Sequence, residues 1–417
     1  MGVADESPPL PLLILGTGDG TVRALDGRDG STCWQFAAGS NHPFFWFSLA
    51  TDRGIVYAAA GDGLVCALRL DDGSVLWQQQ IPYAGPPLGR RFDMDVRVAA
   101  GGGAVAVSMG RQDTRRSDAR SITVLDGATG AQHWVVTPRS PTWIRLLRAL
   151  GPLTGYFPDQ VGLTLLAVDG SGVYASSSRQ QAGKRPTCIT VVRDLRWGRQ
   201  RWRTCRAAAQ VQFPSKSWRT SLTVADGVVY TLDTRLSALA ASNGRMRWQR
   251  PAPPASRPGV LVANAAVVCA ACESLVAAYN AHDGAALWQL NGRHANGSCD
   301  SFLGMALMGD TVYISRGVAA RRDGFALEAH DALSGALRWV WPTPSAPGPG
   351  HEQDQVQEQA EPLARGDLSW RFVGGGGVLY VPGHGTLCAV RASDGVQLWQ
   401  LHTGFGLPAL VAVAVPA

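Results

Sequence analysis

Residues 54–77 decide the fold, and they read Gly54-Ile-Val-Tyr-Ala-Ala-Ala60, Gly61-Asp-Gly63, Leu64-Val-Cys-Ala-Leu68, then, after Arg-Leu, Asp71-Asp-Gly73 and Ser74-Val-Leu-Trp77. β-Branched, aromatic and small residues alternate between short segments rich in Gly and Asp. This pattern is typical of strands joined by tight turns. The stretch therefore predicts three successive antiparallel strands, with a tryptophan near the start of the third.

The end of this stretch, a glycine followed four residues later by a tryptophan, recurs along the whole chain. Chance would give about 1.6 such pairs, whereas eight follow one period and a ninth, Gly366 and Trp370, falls outside it. Successive tryptophans of the period lie 40 to 68 residues apart, the length of a four-stranded blade with variable loops. The tryptophans of the eight repeats are Trp34, Trp77, Trp134, Trp202, Trp248, Trp288, Trp339 and Trp399.

The repeats predict a single all-β domain over residues 1–417, an eight-bladed β-propeller of four-stranded antiparallel blades. The segment 409–415 has no partner after it, so we expect it to supply the missing innermost strand of blade 1 and to close the ring. The predicted blades are residues 10–36 with 409–415, 44–81, 92–137, 161–205, 218–250, 259–290, 300–341 and 368–401, with inserts at 138–160 and 342–367.

The turn before each repeated tryptophan has a recognisable chemistry. In four repeats an aspartate lies four residues before the glycine, at Asp26, Asp126, Asp194 and Asp331. A carboxylate there can accept hydrogen bonds from the backbone of the turn that the glycine makes possible. We expect the tryptophans themselves to pack between neighbouring sheets and to hold the ring together.

Composition restricts the function classes. The net charge of +6 arises from 38 basic and 32 acidic residues, a mild excess that does not favour a nucleic-acid partner. No run of apolar residues is long enough for a transmembrane helix. Residues 1–15 contain neither a signal-peptide pattern nor a lipoprotein cysteine, which predicts a cytoplasmic protein, or a periplasmic or cell-envelope protein if a leader has been removed. A closed ring needs no neighbour, so we expect a monomer.

One face of the predicted ring carries most of the long loops. Strands alternate in direction, so the loops between the second and third strands share a face with the connectors between blades; we call this the loop face. Four of its five long segments are basic, which makes the face a candidate binding surface. These segments are 111–120, 179–185, 316–323, 138–160 and the acidic 342–367.

The innermost strands should line a central funnel that holds conspicuous polar and aromatic residues. Asp93, Asp95 and Arg97 alternate along one strand, so they share one side of it. They form either a ligand pocket, with Asp93 and Asp95 as catalytic candidates, or a water-filled channel wall with paired charges. The other ligand-binding candidates are Arg91, Trp218, Arg219, Asp300, Trp370 and Arg371, and Trp46 lines the same funnel.

Metal and thiol chemistry have little support in the sequence. Cys269-Ala-Ala-Cys272 lies at a strand end without a second cysteine pair for zinc, which favours two core thiols. The eight histidines show no ligand spacing within one element, so we expect most of them in turns and on the surface and predict no metal site.

The segment Asp126-Gly-Ala-Thr-Gly-Ala-Gln-His-Trp134 resembles the tryptophan-docking motif of quinoprotein-type propellers, the pyrroloquinoline-quinone-like repeat family. The resemblance covers nearly the whole chain, which is similar in size to the scaffold lipoprotein of the outer-membrane β-barrel assembly machine. Quinoprotein dehydrogenases use a tryptophan floor, adjacent cysteines and a calcium-binding set of Asn, Glu and Asp. This chain has no adjacent cysteines, and only Trp218 or Trp370 with Asp93, Asp95 or Asp300 would imitate part of such a site.

Two functional hypotheses follow. The first is a non-catalytic scaffold without a cofactor, which binds a protein partner or a small ligand through the loop face and the funnel mouth. The alternative is an enzyme that uses the funnel carboxylates, such as an oxidoreductase that depends on pyrroloquinoline quinone and calcium. Fold alone does not decide between them.

Overall fold

The structure of the 417-residue chain is a computed structural model. The structure describes residues 12–17, 20–37, 48–82, 94–111, 121–136, 160–161, 165–180, 187–207, 221–233, 235–252, 259–272, 275–292, 301–317, 325–342, 372–382, 386–402 and 410–414.

The described residues form strands joined by tight turns. In the first half of the chain the strands are β1 (Leu12–Gly16), β2 (Thr21–Asp26), β3 (Thr32–Ala37), β4 (Ser48–Asp52), β5 (Ile55–Ala59), β6 (Leu64–Arg69), β7 (Val75–Gln80), β8 (Met94–Gly101), β9 (Ala104–Arg111), β10 (Ser121–Asp126), β11 (Gln132–Val136), β12 (Gln160–Val161), β13 (Leu165–Asp169), β14 (Gly172–Gln180), β15 (Thr187–Arg193) and β16 (Gln200–Ala207). In the second half they are β17 (Ser221–Ala225), β18 (Val228–Leu232), β19 (Arg235–Ala240), β20 (Met246–Pro251), β21 (Val260–Ala263), β22 (Val267–Cys272), β23 (Leu275–Asn280), β24 (Ala286–Asn291), β25 (Ser301–Met308), β26 (Thr311–Gly317), β27 (Phe325–Asp331), β28 (Leu337–Pro342), β29 (Val373–Gly375), β30 (Val378–Pro382), β31 (Thr386–Arg391), β32 (Gln397–His402) and β33 (Leu410–Ala414).

The strands form eight antiparallel sheets, so the predicted eight-bladed propeller is confirmed. Blade 1 has the order β3-β2-β1-β33, and blades 2, 3 and 5 to 8 each consist of four consecutive strands. Blade 4 differs slightly because its long β14 pairs with β13 along one part and with the two-residue β12 along another.

The ring closes as predicted. β33 pairs with β1 from Leu12 opposite Ala414 to Gly16 opposite Leu410, and it forms the inner strand of blade 1. The inner strands of successive blades contact each other in turn, from β33 through β4, β8, β13, β17, β21 and β25 to β29 and back to β33. The first and last described strands thus share one blade.

The core consists of apolar layers between neighbouring sheets. In the layer between blades 1 and 2, Ile14 and Val22 pack with Val56 and Leu68. The second and third strands are buried on both faces, which explains why they read as Val, Leu, Tyr and Ala rather than as a polar alternation.

Each repeated tryptophan joins its blade to the next. Its indole N–H donates to a backbone carbonyl in the turn of the following blade, for example from Trp34 to Leu70 at 2.8 Å and, at the closure, from Trp399 to Gly27 at 3.0 Å. The indole ring packs against the repeated glycine of that turn. A Cβ built on Gly73, whose φ is +71°, would come within 2.5 Å of Trp34. Only glycine therefore permits this approach. The other six donor and acceptor pairs are Trp77 and Gly127, Trp134 and Leu195, Trp202 and Ala241, Trp248 and Ala281, Trp288 and Ala332, and Trp339 and Ala392.

Turn aspartates stabilise the same turns. The Asp126 carboxylate accepts the backbone N–H groups of Ala128 at 3.1 Å and Thr129 at 2.9 Å, and Asp331 does the same for Leu333 and Ser334. Hydrogen bonds from the backbone and side chain of Ser334 hold the pKa of Asp331 well below its usual range. The predicted capping role of the turn aspartates is confirmed.

We expect Trp34→Ala to lower the free energy of unfolding by about 3–5 kcal/mol, since it removes a buried ring and its bond to the next blade. Trp197→Ala serves as the matched control, because that ring is 68% exposed. Urea unfolding followed by circular dichroism measures both changes. Equal losses in the two variants would contradict a special role for the ring between the blades.

Candidate functional site

Most of the funnel residues singled out in the sequence lie outside the described residues. This applies to Trp46, Arg91, Asp93, Trp218, Arg219, Asp300, Trp370 and Arg371. Asp95 lies on the inner strand β8 opposite Gly110, and its side chain is not described. Their proposed ligand-binding and catalytic roles stay predictions.

Arg97 is the funnel candidate for which the structure gives both the position and the burial. It lies on β8 opposite Ser108 of β9 and is partly buried. The strand that carries it is attached to blade 2, because Ser48 accepts the N–H of Val98 at 2.9 Å. At the end of the same strand pair, Asp52 accepts the N–H of Gly103 at 2.7 Å. Two side-chain acceptors of blade 2 therefore fix the backbone around Arg97.

The long loops of the loop face lie largely outside the described residues, but three of them begin with an arginine at the end of a second strand. These residues are Arg111 on β9, Arg179 on β14 and Arg316 on β26. All second strands run in the same direction through the ring, so the three residues lie towards the same face. The side-chain environment is described for Arg316.

Arg316 begins a chain of charged groups that enters blade 7. Its guanidinium forms an ion pair with Glu328 of β27, and the other carboxylate oxygen of Glu328 lies 3.1 Å from Nε2 of His330. Nδ1 of His330 lies 3.0 Å from the carbonyl of Gly335. Both ring nitrogens thus face oxygen atoms, and a nitrogen that carries a hydrogen donates it to the oxygen that it faces.

The group formed by Arg316, Glu328 and His330 lies at the interface between blades 6 and 7. Trp288 of blade 6 stacks on the His330 ring, with 6.4 Å between the centroids and 22° between the planes. Glu328 and His330 are 7% and 4% exposed, whereas the Arg316 side chain is 28% exposed. The buried carboxylate consequently holds an accessible cation in a fixed position near the loop face.

Sequence reasoning missed this arrangement and expected most histidines in turns or on the surface. His330 is instead buried within a strand. One signal was available: Glu328 and His330 alternate with Leu327 and Ala329 along β27, which places both polar residues on the same side of a buried strand.

Cys269 and Cys272 are both buried, as core thiols would be. They lie in the apolar layers on opposite sides of β22, Cys269 with Val312 and Cys272 with Tyr230. Burial raises the pKa of Cys269 to about 12 and that of Cys66 to about 11. Among the described residues, no three His, Cys, Asp or Glu side chains form a group that could hold a metal ion.

Cys205 is exposed, so we expect iodoacetamide at about pH 8 to label it well before Cys66, Cys269 and Cys388. Burial keeps the latter three as thiols at this pH, with the pKa of Cys388 also raised to about 11. Peptide mass spectrometry after timed labelling measures the order, and labelling in urea is the control for intrinsic reactivity. Rapid labelling of Cys269 in the folded protein would contradict the predicted order of labelling.

The propeller and its glycine–tryptophan repeats agree with a family comparison. The family model described as outer membrane protein assembly factor BamB matches residues 12–108 and 189–368, more than half of the chain. The chain belongs to this family. No curated protein matches it.

The BamB-family chain is also similar to several solved structures. BamB from Moraxella catarrhalis is 17% identical, with a TM-score of 0.52 over 95% of this chain and 92% of that one. AztD from Citrobacter koseri is 12% identical, with a TM-score of 0.59 over 98% and 99%. Dihydro-heme d1 dehydrogenase NirN, in complex with DHE, is 12% identical, with a TM-score of 0.56 over 98% and 76%. At these identities the similarity concerns the fold.

The described residues include no helix with the length and apolar character needed to cross a membrane.

We expect Glu328→Ala to lower the free energy of unfolding by about 3 kcal/mol, because the change leaves Arg316 and His330 without their shared carboxylate. The control is Arg391→Ala, which breaks the exposed pair with Asp394 on blade 8, keeps the turn hydrogen bond that Asp394 accepts, and should cause no measurable loss. Chemical denaturation measures both variants. A Glu328→Ala variant as stable as the control would show that the contacts of Glu328 with Arg316 and His330 do not stabilise the interface between the blades.

Proposed function

We propose that this member of the BamB family is a non-catalytic scaffold of the cell envelope that binds a protein partner through its loop face and funnel mouth. The observation that carries the proposal is the family match over more than half of the chain. Of the two locations that the sequence leaves open, the family's name favours the envelope. A small ligand at the funnel mouth remains compatible with this role.

The architecture suits a scaffold because stability and recognition occupy different parts of the ring. The tryptophan contacts that join the blades, and the aspartate contacts that stabilise the turns, lie between third and fourth strands, opposite the loop face. Loops on the other face can therefore vary without weakening the ring. We expect the folded protein to be a monomer that offers this face to its partner.

Arg316 supports the same proposal from the electrostatics of the loop face. A guanidinium held by Glu328 has already lost much of its side-chain freedom, so it can bind a carboxylate or carbonyl group of a partner at a lower entropic cost. The arginines of segments 111–120 and 179–185 begin at equivalent strand ends. Together they would form a basic surface for an acidic or polar partner.

The test is partner capture with Arg115→Gln/Arg116→Gln, a change confined to a loop of this face. We expect capture of the co-purifying partner from envelope extracts of the host to fall about tenfold, the effect of losing two interfacial charges, with no change in Tm. Arg28→Gln/Arg69→Gln removes the same charge from exposed turn-side positions of blades 1 and 2 and should capture normally.

Unchanged capture by the loop variant would refute the assignment of the loop face. A stoichiometric mass shift on adding pyrroloquinoline quinone and calcium, with turnover lost in Asp93→Asn/Asp95→Asn, would replace the scaffold assignment by the enzymatic alternative. Native mass spectrometry of the protein from its own host measures both the cofactor and the partner.

A further inference from the structure

The outermost strands of the eight blades differ sharply in charge. Five of them, β3, β7, β11, β24 and β32, contain no arginine. β28 contains one, β20 two and β16 three. The turn before β16 adds Arg196 and Arg199. We call the exposed residues Arg196, Trp197, Arg199 and Arg203 the arginine rim of blade 4.

The arginines of this rim have no ion pair with another described residue. On β28, Arg338 is paired with Asp310 at 2.7 Å and Asp331 at 2.8 Å. In contrast, no carboxylate within the described part of the chain pairs with Arg196, Arg199 or Arg203. The rim is therefore an exposed positive surface, and it lies away from the loop face.

Trp197 occupies a turn position that has a different use in the other blades. There, the residue before the repeated glycine accepts the N–H of the residue two positions later through its side-chain oxygen. The seven acceptors are Asp29, Asp72, Thr129, Asn243, Asp283, Ser334 and Asp394. A tryptophan cannot accept this bond.

The side chain that replaces the acceptor is largely exposed. The Trp197 side chain is 68% exposed, and its ring contact is with the guanidinium of Arg196, which lies 5.1 Å from the centroid. A position that gives up a local hydrogen bond to expose a large aromatic ring is a candidate for function. Tryptophan and arginine are also the residues that most often dominate binding at protein interfaces.

The rim runs along a free strand edge. β16 ends the sheet of blade 4, and none of the described strands lies beside its outer N–H and C=O groups. It has eight residues, whereas the outer strands of the other blades have five or six. Such an edge can take up another extended chain through backbone hydrogen bonds.

We propose that the arginine rim binds an acidic, extended segment of a partner protein, which pairs with the edge of β16 while Trp197 anchors one end. This inference rests on the proposed role as a protein-binding scaffold and adds a second surface to it. The backbone groups of the edge favour a polypeptide over a nucleic acid. Trp197 is the one large apolar side chain exposed within the described part of blade 4, which is too little for insertion into a membrane.

Protection of the edge against aggregation does not explain the rim. Charged edge residues can block unwanted strand pairing. The five outer strands without arginine have the same kind of free edge, so the protein does not rely on arginine to protect its edges. The concentration of charge on blade 4 therefore needs a cause specific to that blade.

The experiment uses the full chain and a fluorescein-labelled peptide of alternating Glu and Thr, with eight residues to match β16. Fluorescence anisotropy gives its Kd. We expect Arg199→Gln/Arg203→Gln to raise Kd about tenfold, and Trp197→Ala to do the same. The control Arg28→Gln/Arg69→Gln, with equal loss of charge, should leave Kd unchanged. The Tm of every variant is measured as well and should equal that of the unaltered protein.

Edge pairing has its own readout. Hydrogen exchange should slow at amides of β16 when the peptide binds, and N-methylation of alternate peptide residues should abolish binding. An unchanged Kd in Arg199→Gln/Arg203→Gln, or full binding of the N-methylated peptide, would overturn the proposal. So would tighter binding of oligothymidylate or of phosphatidylglycerol vesicles through the same arginines.

The two proposals fail separately. If Arg115→Gln/Arg116→Gln loses partner capture while the rim variants bind peptide like the unaltered protein, the scaffold role stands and the rim proposal falls. If the rim variants lose the peptide but no polypeptide partner is captured by the unaltered protein, the rim is an acidic-peptide site and the proposed scaffold role fails.

Discussion

The closed propeller depends on one repeated contact, in which the indole of each blade packs against the glycine of the next blade. The glycine must lack a Cβ because the indole occupies that space, and the carbonyl that accepts the indole N–H lies three residues before the glycine, as Leu70 does before Gly73. Neither half of the contact works alone. A blade that kept its tryptophan but faced a bulkier turn residue would have to tilt or move away, and the inner strands would then lose their contact around the funnel.

This mutual dependence is also why the fold was predictable. Gly73 receives Trp34 and is followed by Trp77, which in turn packs on Gly130. Each repeat therefore carries, within five residues, both the glycine that receives the indole of the previous blade and the tryptophan that packs on the next blade. A feature that the ring needs eight times, at a fixed local spacing, is visible in the sequence without any knowledge of long-range pairing. The number of blades and the closure by β33 followed from it.

The site was less predictable because its chemistry is not repeated. Arg316 and Glu328 are separated by a loop, and their contact depends on a cross-strand register that composition does not reveal. His330 resembles a turn residue when it is judged by its neighbour Asp331 alone. Trp197 was within reach of the sequence, since a comparison of the eight turns position by position shows that it replaces an oxygen acceptor. The funnel candidates such as Asp93 and Trp218 stay predictions.

The closure of the ring has a consequence for folding kinetics. The bond from Trp399 to Gly27 joins residues 372 positions apart, and the pairing of β33 with β1 spans a similar separation. Every other junction between blades links neighbouring repeats, so the protein can add blades one after another as it folds. Closing the propeller at the end then costs the conformational entropy of one very large loop. We therefore expect blade 1 to form last during folding. Because unfolding follows the same path in the opposite direction, blade 1 should also open first, and this opening would give a protease or a chaperone access to the folded propeller.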